Sequence, residues 1–133
     1  MKLTRRSEYA LLALIHLARF KGDGFVAVAA MAEAQDLPAK FLEQLLMALK
    51  RARLVKSRKG PHGGYRLARP AGKISLAEVI RLLDGALAPT ESVSTYFYEP
   101  TPVEREKRLL RVFKEIRDFV SARLEKTSLA DVL

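Results

Sequence analysis

The residues in this sequence that could do chemistry are cations gathered around a loop rich in glycine and proline. Six of them fall between residues 50 and 59 with no carboxylate among them: Lys50, Arg51, Arg53, Lys56, Arg58 and Lys59. The loop, within SRKGPHGGYRL at residues 57–67, is longer than the roughly two to five residues of a plain hairpin turn. Such a concentration of cations favours a partner that carries phosphates.

The net charge of the whole chain is concentrated in the same half. The 133 residues carry a formal charge of +9. Residues 1–73 hold 15 Lys and Arg against 5 Asp and Glu, whereas residues 74–133 hold 9 against 10. Solubility does not require this asymmetry, so we expect a polyanion to bind the first half. We expect no membrane partner, because the first half has no long amphipathic helix with a basic face.

Several classes of protein are excluded by what the sequence lacks. It has no cysteine, which rules out disulfides, thiolate zinc sites and cysteine-ligated iron–sulfur clusters, and fits a cytoplasmic protein. It has no nucleophile–histidine–acid set, no phosphate loop and no cluster of histidines with carboxylates. We therefore expect no enzyme, no cofactor and no metal. The N-terminus starts basic and turns apolar, but Glu8 and His16 interrupt it, so we interpret it as a helix and not as a signal peptide.

The cationic loop follows a predicted helix-turn-helix. A first helix starts after Thr4, and KGDG at residues 21–24 ends it. Two shorter helices follow, over residues 28–34 and from Pro38 to about Ala52, with Asp36 at the turn between them. The last of these buries one face, formed by Phe41, Leu42, Leu45, Leu46 and Leu49. Its opposite face carries long side chains that could enter a DNA major groove, namely Lys40, Glu43, Gln44, Met47 and Arg51.

The rest of the chain is predicted as a hairpin, a helix, a loop and a long helix. LVKS and YRL are the two strands that flank the loop. Ser75 and Glu78 form a capping box for a helix that ends at Gly85, and residues 86–101 form a loop. Thr101, Pro102 and Glu104 would start a helix that runs to about residue 124. Its apolar residues step by four, three and four, like the seam of a coiled coil: Leu109, Phe113, Ile116 and Val120. Val112, Phe119 and Leu124 widen this apolar face. This seam could pack on a second subunit or on its own domain.

The order helix, helix-turn-helix, hairpin is that of a winged helix, and the cationic loop is then the wing. The chain resembles the family of bacterial transcription regulators typified by IscR, NsrR and CymR. The matching stretches are MKLTRRSEYALLALIHLA, LPAKFLEQLLMALKRARLVKSRKGPHGGYRLARP, ISLAEVIRLLDG and TSLADVL. The resemblance implies a mainly α fold with a small β-hairpin. It implies a winged helix-turn-helix DNA-binding domain over residues 1–85, an effector or partner loop over 86–101, and a dimerisation helix with a C-terminal turn over 102–133.

The resemblance also implies which residues contact DNA. Relatives are homodimers that bind palindromic operators, with the second helix of the helix-turn-helix in the major groove and the wing in the minor groove. Base readers are then Lys40, Glu43 and Gln44, and phosphate contacts come from Lys2, Arg5, Arg51 and Arg58, helped by wing backbone amides. Lys59 and His62, with Gly63 beside them, would enter or flank the minor groove. His62 stands where the family has glycine, and Lys59 where it commonly has Arg, so the operator sequence stays open.

The loop at residues 86–101 departs most from the family. Many relatives place three cysteines there to hold an iron–sulfur cluster, and this chain has none. A cysteine-free member is expected to respond to a partner protein or a small metabolite, contacted by Tyr96, Phe97 and Tyr98. Alternatively these rings pack on the long helix as local core. The sequence thus predicts a homodimeric DNA-binding regulator, expected to be a repressor. The alternatives are a non-specific nucleic-acid architectural protein and a winged helix that only binds proteins.

Overall fold

The computed structural model describes residues 1–133 as five α-helices and one two-stranded antiparallel sheet. The helices and strands are α1 (Arg5–Arg19), α2 (Val28–Gln35), α3 (Ala39–Arg51), β1 (Val55–Arg58), β2 (Gly64–Leu67), α4 (Leu76–Asp84) and α5 (Lys107–Glu125). Short 3-10 turns lie at Ala71–Lys73, Glu91–Val93, Pro102–Arg105 and Leu129–Val132. The predicted fold class, mainly α with a small hairpin, is confirmed. No helix has both the length and the apolar character needed to cross a bilayer.

Helix α1 begins where the sequence predicted and forms the centre of the domain. The Thr4 hydroxyl accepts a hydrogen bond from the Ser7 amide at 3.3 Å, which satisfies one of the free amides of the first turn. Its apolar residues Ala10, Ala13 and Leu14 are completely buried. The helix contacts α2, α3, α4, the hairpin and the C-terminal turn, so it is covered on several sides, as its nearly all-round apolar pattern predicted.

The helix-turn-helix is formed by α2 and α3. Asp36 adopts the left-handed conformation, with φ 53° and ψ 52°, and the Leu37 amide donates to the Ala32 carbonyl at 2.8 Å. Pro38 immediately precedes α3 and does not lie in its first turn. The leucines predicted for the inner face of α3 are all buried: Leu42, Leu45, Leu46 and Leu49. The opposite stripe of α3 is therefore free to face a ligand.

The hairpin is held against the segment that precedes α2. Strands β1 and β2 pair with Val55 opposite Leu67 and Arg58 opposite Gly64. Backbone hydrogen bonds of 2.8 Å join Val26 and Tyr65 in both directions, so the predicted extended piece at FVAV adds a bridge to the hairpin. Gly64 has φ 146°, and a Cβ on it would lie 2.1 Å from the Val26 carbonyl oxygen. Only glycine permits this close approach.

The C-terminal turn packs in the core of the winged helix. Leu129 is fully buried in the main apolar cluster, and its amide donates to the Ile74 carbonyl at 2.9 Å. The Leu76 amide donates to the Thr127 carbonyl at the same distance. The resemblance grouped this turn with the dimerisation helix over residues 102–133. In space, residues 127–132 lie with residues 1–85.

Two predicted helix starts differ in detail from the structure. The Ser75 hydroxyl accepts from the Glu78 amide at 3.1 Å, but the Glu78 carboxylate pairs with Arg69, so the capping box is only half formed. Helix α5 begins at Lys107 and not after Thr101, because residues 102–105 form a separate 3-10 turn. The Thr101 hydroxyl donates to the Ser92 hydroxyl at 2.7 Å and caps no helix. A tertiary contact thus replaces the predicted local one.

Helix α5 is 19 residues long and has no fully buried residue in the single chain. Its exposed apolar stripe is formed by Leu109, Val112, Ile116 and Phe119. Only two of these belong to the predicted seam. The other two seam residues differ: Phe113 is half-buried, and Val120 packs against the small cluster of Ala77, Ile80 and Leu87. The seam residues predicted for dimerisation thus divide between one edge of the apolar face, which covers the chain's own domain, and the other edge, which is exposed.

Candidate nucleic-acid interface

Helix α3 and the wing enclose one cationic cleft. The cleft has a volume of about 650 Å³. Its lining comes from both elements: Met47, Lys50 and Arg51 on α3, and Ser57, Arg58, Lys59, Gly64 and Tyr65 on the hairpin. Three predicted DNA-contacting residues, Arg51, Arg58 and Lys59, therefore meet in one place. No carboxylate lines the cleft, so every charged side chain of its lining is a cation.

The predicted base-reading residues lie on the outer stripe of α3. Lys40, Glu43 and Gln44 are all exposed, and half of the Met47 side-chain surface is accessible. The chain has three ion pairs, Arg69–Glu78, Arg81–Glu125 and Arg117–Asp118, and none involves α3 or the cationic cleft. The polar groups of this stripe are thus not committed to partners within the chain, as base readout requires.

A phenylalanine that sequence analysis missed supports the base of the wing. The Arg58 guanidinium lies 4.5 Å from the centre of the Phe25 ring, and that of Arg66 lies 5.8 Å from it. Arg66 also donates to the Asp23 carbonyl at 2.6 Å. These contacts orient Arg58 before any ligand arrives. The only sequence feature that pointed to Phe25 was an aromatic residue directly after the KGDG turn. That feature is too common to predict a ring that holds an arginine.

The tip of the wing is a glycine turn that presents Lys59 and His62, both of them exposed. The Gly63 amide donates to the Gly60 carbonyl at 2.9 Å, and a Cβ on Gly63 would lie 2.1 Å from the Arg58 carbonyl oxygen. Gly63 therefore closes the turn. Gly63 and the wing amides were predicted to help bind DNA, but the Gly63 amide already has a partner within the turn.

Lys2 and Arg5 lie outside the cationic cleft, at the amino end of α1. They border a separate surface depression with Leu3, Thr4 and Glu8. The Tyr9 ring on α1 packs edge-to-face on the Phe41 ring of α3, with 5.6 Å between ring centres. Because Phe41 follows Lys40, the amino ends of α1 and α3 are neighbours. Lys2 and Arg5 are exposed there and extend the cationic surface away from the wing.

The three aromatic rings of the 86–101 loop lie on the surface. Tyr96, Phe97 and Tyr98 are 69%, 44% and 57% exposed, so the alternative that they form local core is wrong. The Arg81 guanidinium lies 4.8 Å from the centre of the Tyr96 ring. Tyr98 donates to the Glu104 carboxylate at 2.6 Å, and this hydrogen bond raises the pKa of Tyr98. The loop thus presents an aromatic surface of fixed geometry.

The same loop does not fit an iron–sulfur cluster. The chain has no cysteine, and the hydroxyls of the loop have other partners. Ser92 accepts from Thr101, and Ser94 accepts from the Phe97 amide at 2.9 Å. No group of three or more His, Asp or Glu side chains converges elsewhere. Since clusters depend mainly on thiolate ligands, the donor set of this chain cannot hold one.

Comparison with known proteins gives one consistent result. The Rrf2 family, described as iron-dependent transcriptional regulators, matches residues 3–133. The helix-turn-helix-type transcriptional regulator CymR of Bacillus subtilis is 33% identical over 132 residues, which cover 99% of this chain and 89% of CymR. A helix-turn-helix-type regulator of Mycobacterium tuberculosis is 36% identical over 135 residues, covering 99% of this chain and 81% of that protein.

Solved structures give the same result as the sequence comparisons. The structure of B. subtilis CymR, described as the global cysteine regulator of that organism, has a TM-score of 0.79 at 32% identity, covering 99% of this chain and 95% of CymR. These matches confirm the resemblance to the CymR and IscR type and the winged-helix fold, and they indicate a transcription regulator and not an enzyme. The chain therefore belongs to the Rrf2 family of DNA-binding transcriptional regulators.

Proposed function

We propose that this protein is a sequence-specific repressor that binds a palindromic operator as a homodimer in the cytoplasm. One observation carries the proposal: α3, through Met47, Lys50 and Arg51, and the cationic wing border one cleft that no carboxylate lines. Two such units related by a two-fold axis would place two α3 helices in successive major grooves. A symmetric dimer of this kind reads a palindrome.

The two kinds of contact have separate tasks in this proposal. Glu43, Lys40 and Gln44 read base edges, with Glu43 accepting from the N4 amino group of cytosine. Arg51 and Arg58 bind phosphates beside α3, and Lys2 and Arg5 bind phosphates at the end of α1. Lys59 and His62 enter or flank the minor groove from the wing tip. The phosphate contacts would make the affinity strongly dependent on salt.

The homodimer is supported by α5. A helix whose apolar stripe includes Phe119 at 74% exposure needs a cover, since single chains rarely leave such a stripe in water. Leu109, Val112, Ile116 and Phe119 follow the three- and four-residue spacing that pairs two helices. A second copy of α5 supplies a matching stripe. Pairing through α5 would leave both cationic clefts accessible to DNA.

Regulation is assigned to a partner protein or a small metabolite and not to an iron–sulfur cluster. The exposed rings of Tyr96, Phe97 and Tyr98 lie in the loop that packs on α5, where Arg117 donates to the Val93 carbonyl at 2.9 Å. A partner that contacts this loop could change how two α5 helices pair. Such a change would alter the spacing of the two clefts, which must match the operator.

The experiment compares specific with non-specific binding. Duplexes are selected from a randomised pool by the purified full-length protein, and the best sequence and its scrambled version are then titrated at the same salt concentration. We expect a palindromic consensus and at least a hundredfold preference for it. Equal affinity for both duplexes would instead identify an architectural protein. In vitro transcription from a promoter that overlaps the selected site tests repression directly.

A further inference from the structure

A second pocket lies behind the wing. It has a volume of about 370 Å³ and is bordered by the end of α1, the hairpin and the segment after β2. Lys56 and Arg66 alternate along their strands with Ser57 and Tyr65, which line the cationic cleft. Successive side chains of a strand point to opposite faces. This pocket, which we call the rear pocket, shares no lining residue with the cationic cleft.

We propose that the rear pocket binds a small amphipathic anion, a carboxylate on a short aromatic or apolar body. Its walls combine apolar side chains, Leu17 at the end of α1, Phe20 just after it and Leu67 on β2, with polar surface of similar extent. Cationic side chains lie beside them. The volume falls in the range of small-molecule sites, which combine an apolar lining with a few placed polar groups.

The cations of the rear pocket lack a negative partner. Lys56 and Arg66 lie directly opposite each other in the hairpin register. Like charges at such positions repel and destabilise a hairpin. No carboxylate pairs with either residue, whereas the third cation, Arg69, is paired with Glu78. A bound carboxylate would remove this repulsion, which is the physical reason to expect an anion there.

Arg66 is already positioned for such a ligand. Its guanidinium donates to the Asp23 carbonyl and lies against the Phe25 ring, so little side-chain freedom remains to be lost on binding. The guanidinium fork matches the two oxygens of a carboxylate. Phe20, which is 39% exposed, lines the pocket with an apolar ring. A flat apolar body thus has a surface on which to lie.

The rear pocket is connected to the cationic cleft through one ring. Arg66 and Arg58 both contact Phe25, and Arg58 also lines the cleft. An anion that neutralises Lys56 and Arg66 lowers the positive potential of the wing. It also changes how the Arg58 and Arg66 guanidinium groups share the Phe25 ring. This coupling rests on the proposed function: the ligand weakens DNA binding, and DNA weakens ligand binding by the same factor.

The first test measures the ligand site alone. Phenylacetate, its neutral isostere phenylacetamide and inorganic phosphate are titrated separately into the isotopically labelled full-length protein without DNA, and amide resonances are followed. We expect saturable shifts for phenylacetate at Phe20, Leu67 and Ala68, and none for phenylacetamide. Equal shifts with phenylacetamide would show that binding does not depend on charge. Equal shifts with phosphate would show that the pocket binds anions without using its apolar surface. Either result overturns the proposal.

Variants then locate the site. Arg66→Gln should weaken phenylacetate binding at least tenfold. Because Arg66 also contacts Asp23, the exposed Lys56 provides a second variant, and Lys56→Gln should weaken binding at least threefold in a folded protein. Lys114→Gln on α5 is the matched control and should change nothing. Unaltered phenylacetate affinity in both pocket variants overturns the proposal, as does a Lys56→Gln variant that loses only DNA affinity.

The last measurement tests the coupling. Saturating phenylacetate at constant ionic strength should raise the Kd for the selected duplex at least threefold, while phenylacetamide leaves it unchanged. If phenylacetate binds but the Kd for the duplex does not change, the site stands and the coupling is refuted. Because the site is measured without DNA, failure of the ligand site and failure of the proposed function give different results.

Discussion

The hydroxyl of Thr4 lies 2.5 Å from the carboxylate of Asp84 and donates a hydrogen bond to it. The Thr4 amide donates to the other carboxylate oxygen at 3.0 Å. The same hydroxyl accepts from the Ser7 amide, so Thr4 both caps α1 and ties it to the last residue of α4. Asp84 thereby holds the end of the protein at which Lys2 and Arg5 are placed.

This contact predicts a stability that depends on pH. Partial burial acts to raise the pKa of Asp84, but hydrogen bonds, chiefly from Thr4, together with the nearby charge of Arg6 outweigh it, and the pKa lies below the usual 3.8. A depressed pKa contributes stability that is present in full above pH 3.8 and is lost as the pH falls through the folded value. Asp84→Asn should lower the free energy of unfolding by about 1 kcal/mol at pH 7 and by progressively less toward pH 2.

Urea denaturation at one protein concentration measures this effect. Asp118→Asn serves as the control, because Asp118 is exposed and pairs only with the adjacent Arg117. The control should differ little from the parent protein at either pH. An Asp84→Asn variant that loses the same stability at pH 7 and pH 2 would contradict the assigned role of the carboxylate.

A second prediction separates base readout by α3 from the charge at the wing tip. Glu43→Ala should reduce discrimination at one operator position by about 1–3 kcal/mol, because the carboxylate accepts from a base. Lys59→Ala should weaken binding to the selected duplex and lower the salt dependence of log K by about one. Fluorescence anisotropy with single-base operator variants at several salt concentrations measures both. Glu33→Ala on the exposed face of α2 is the control, and unchanged binding in both test variants would refute these assignments.

A third prediction concerns the support beneath the wing. Phe25→Leu removes the ring that holds Arg58 and Arg66, so DNA affinity should fall severalfold with no change in base preference. Tyr96→Leu removes a comparable arginine–ring contact at Arg81, far from the wing, and should leave affinity intact. Equal losses in the two variants would show that the effect does not come from the wing.

A fourth prediction follows from the backbone at the hairpin. Gly64→Ala places a Cβ 2.1 Å from the Val26 carbonyl at φ 146°, and should destabilise the fold by about 2 kcal/mol or more. Gly24→Ala, whose Cβ would meet nothing within 4 Å, is the matched control. Thermal melts followed by circular dichroism compare the two. Similar melting temperatures would mean that Val26 and the hairpin do not approach as described.

A fifth prediction tests the pairing of α5. Phe119→Asp puts a charge on the exposed apolar stripe and should convert the dimer to a monomer in sedimentation velocity at micromolar concentration. Lys114→Asp introduces the same carboxylate on the opposite side of the helix and should remain dimeric. A parent protein that sediments as a monomer would remove the basis of the two-site model of operator binding.

Local chemistry explains the features that the sequence predicted correctly. The left-handed turn at Asp36, the buried leucines and polar stripe of α3, the hairpin around the wing loop and the end of α4 before Gly85 all depend on residues a few positions apart. Helical periodicity and turn preferences act over that range. The absence of a cluster is likewise a property of composition, because no folding can supply a missing thiolate.

Contacts between residues far apart in the sequence decided the features that the sequence did not predict. Thr4 and Asp84 are 80 positions apart, and the burial of Leu129, the ring of Phe25 under Arg58 and the inward packing of Val120 all join separate elements. An amphipathic pattern shows that a helix has an apolar face, but the partners that cover each edge of that face depend on how all the elements pack. Sequence therefore determined the elements and the charge of this protein, whereas only the tertiary structure decided which side chains support the wing and which face of α5 stays exposed.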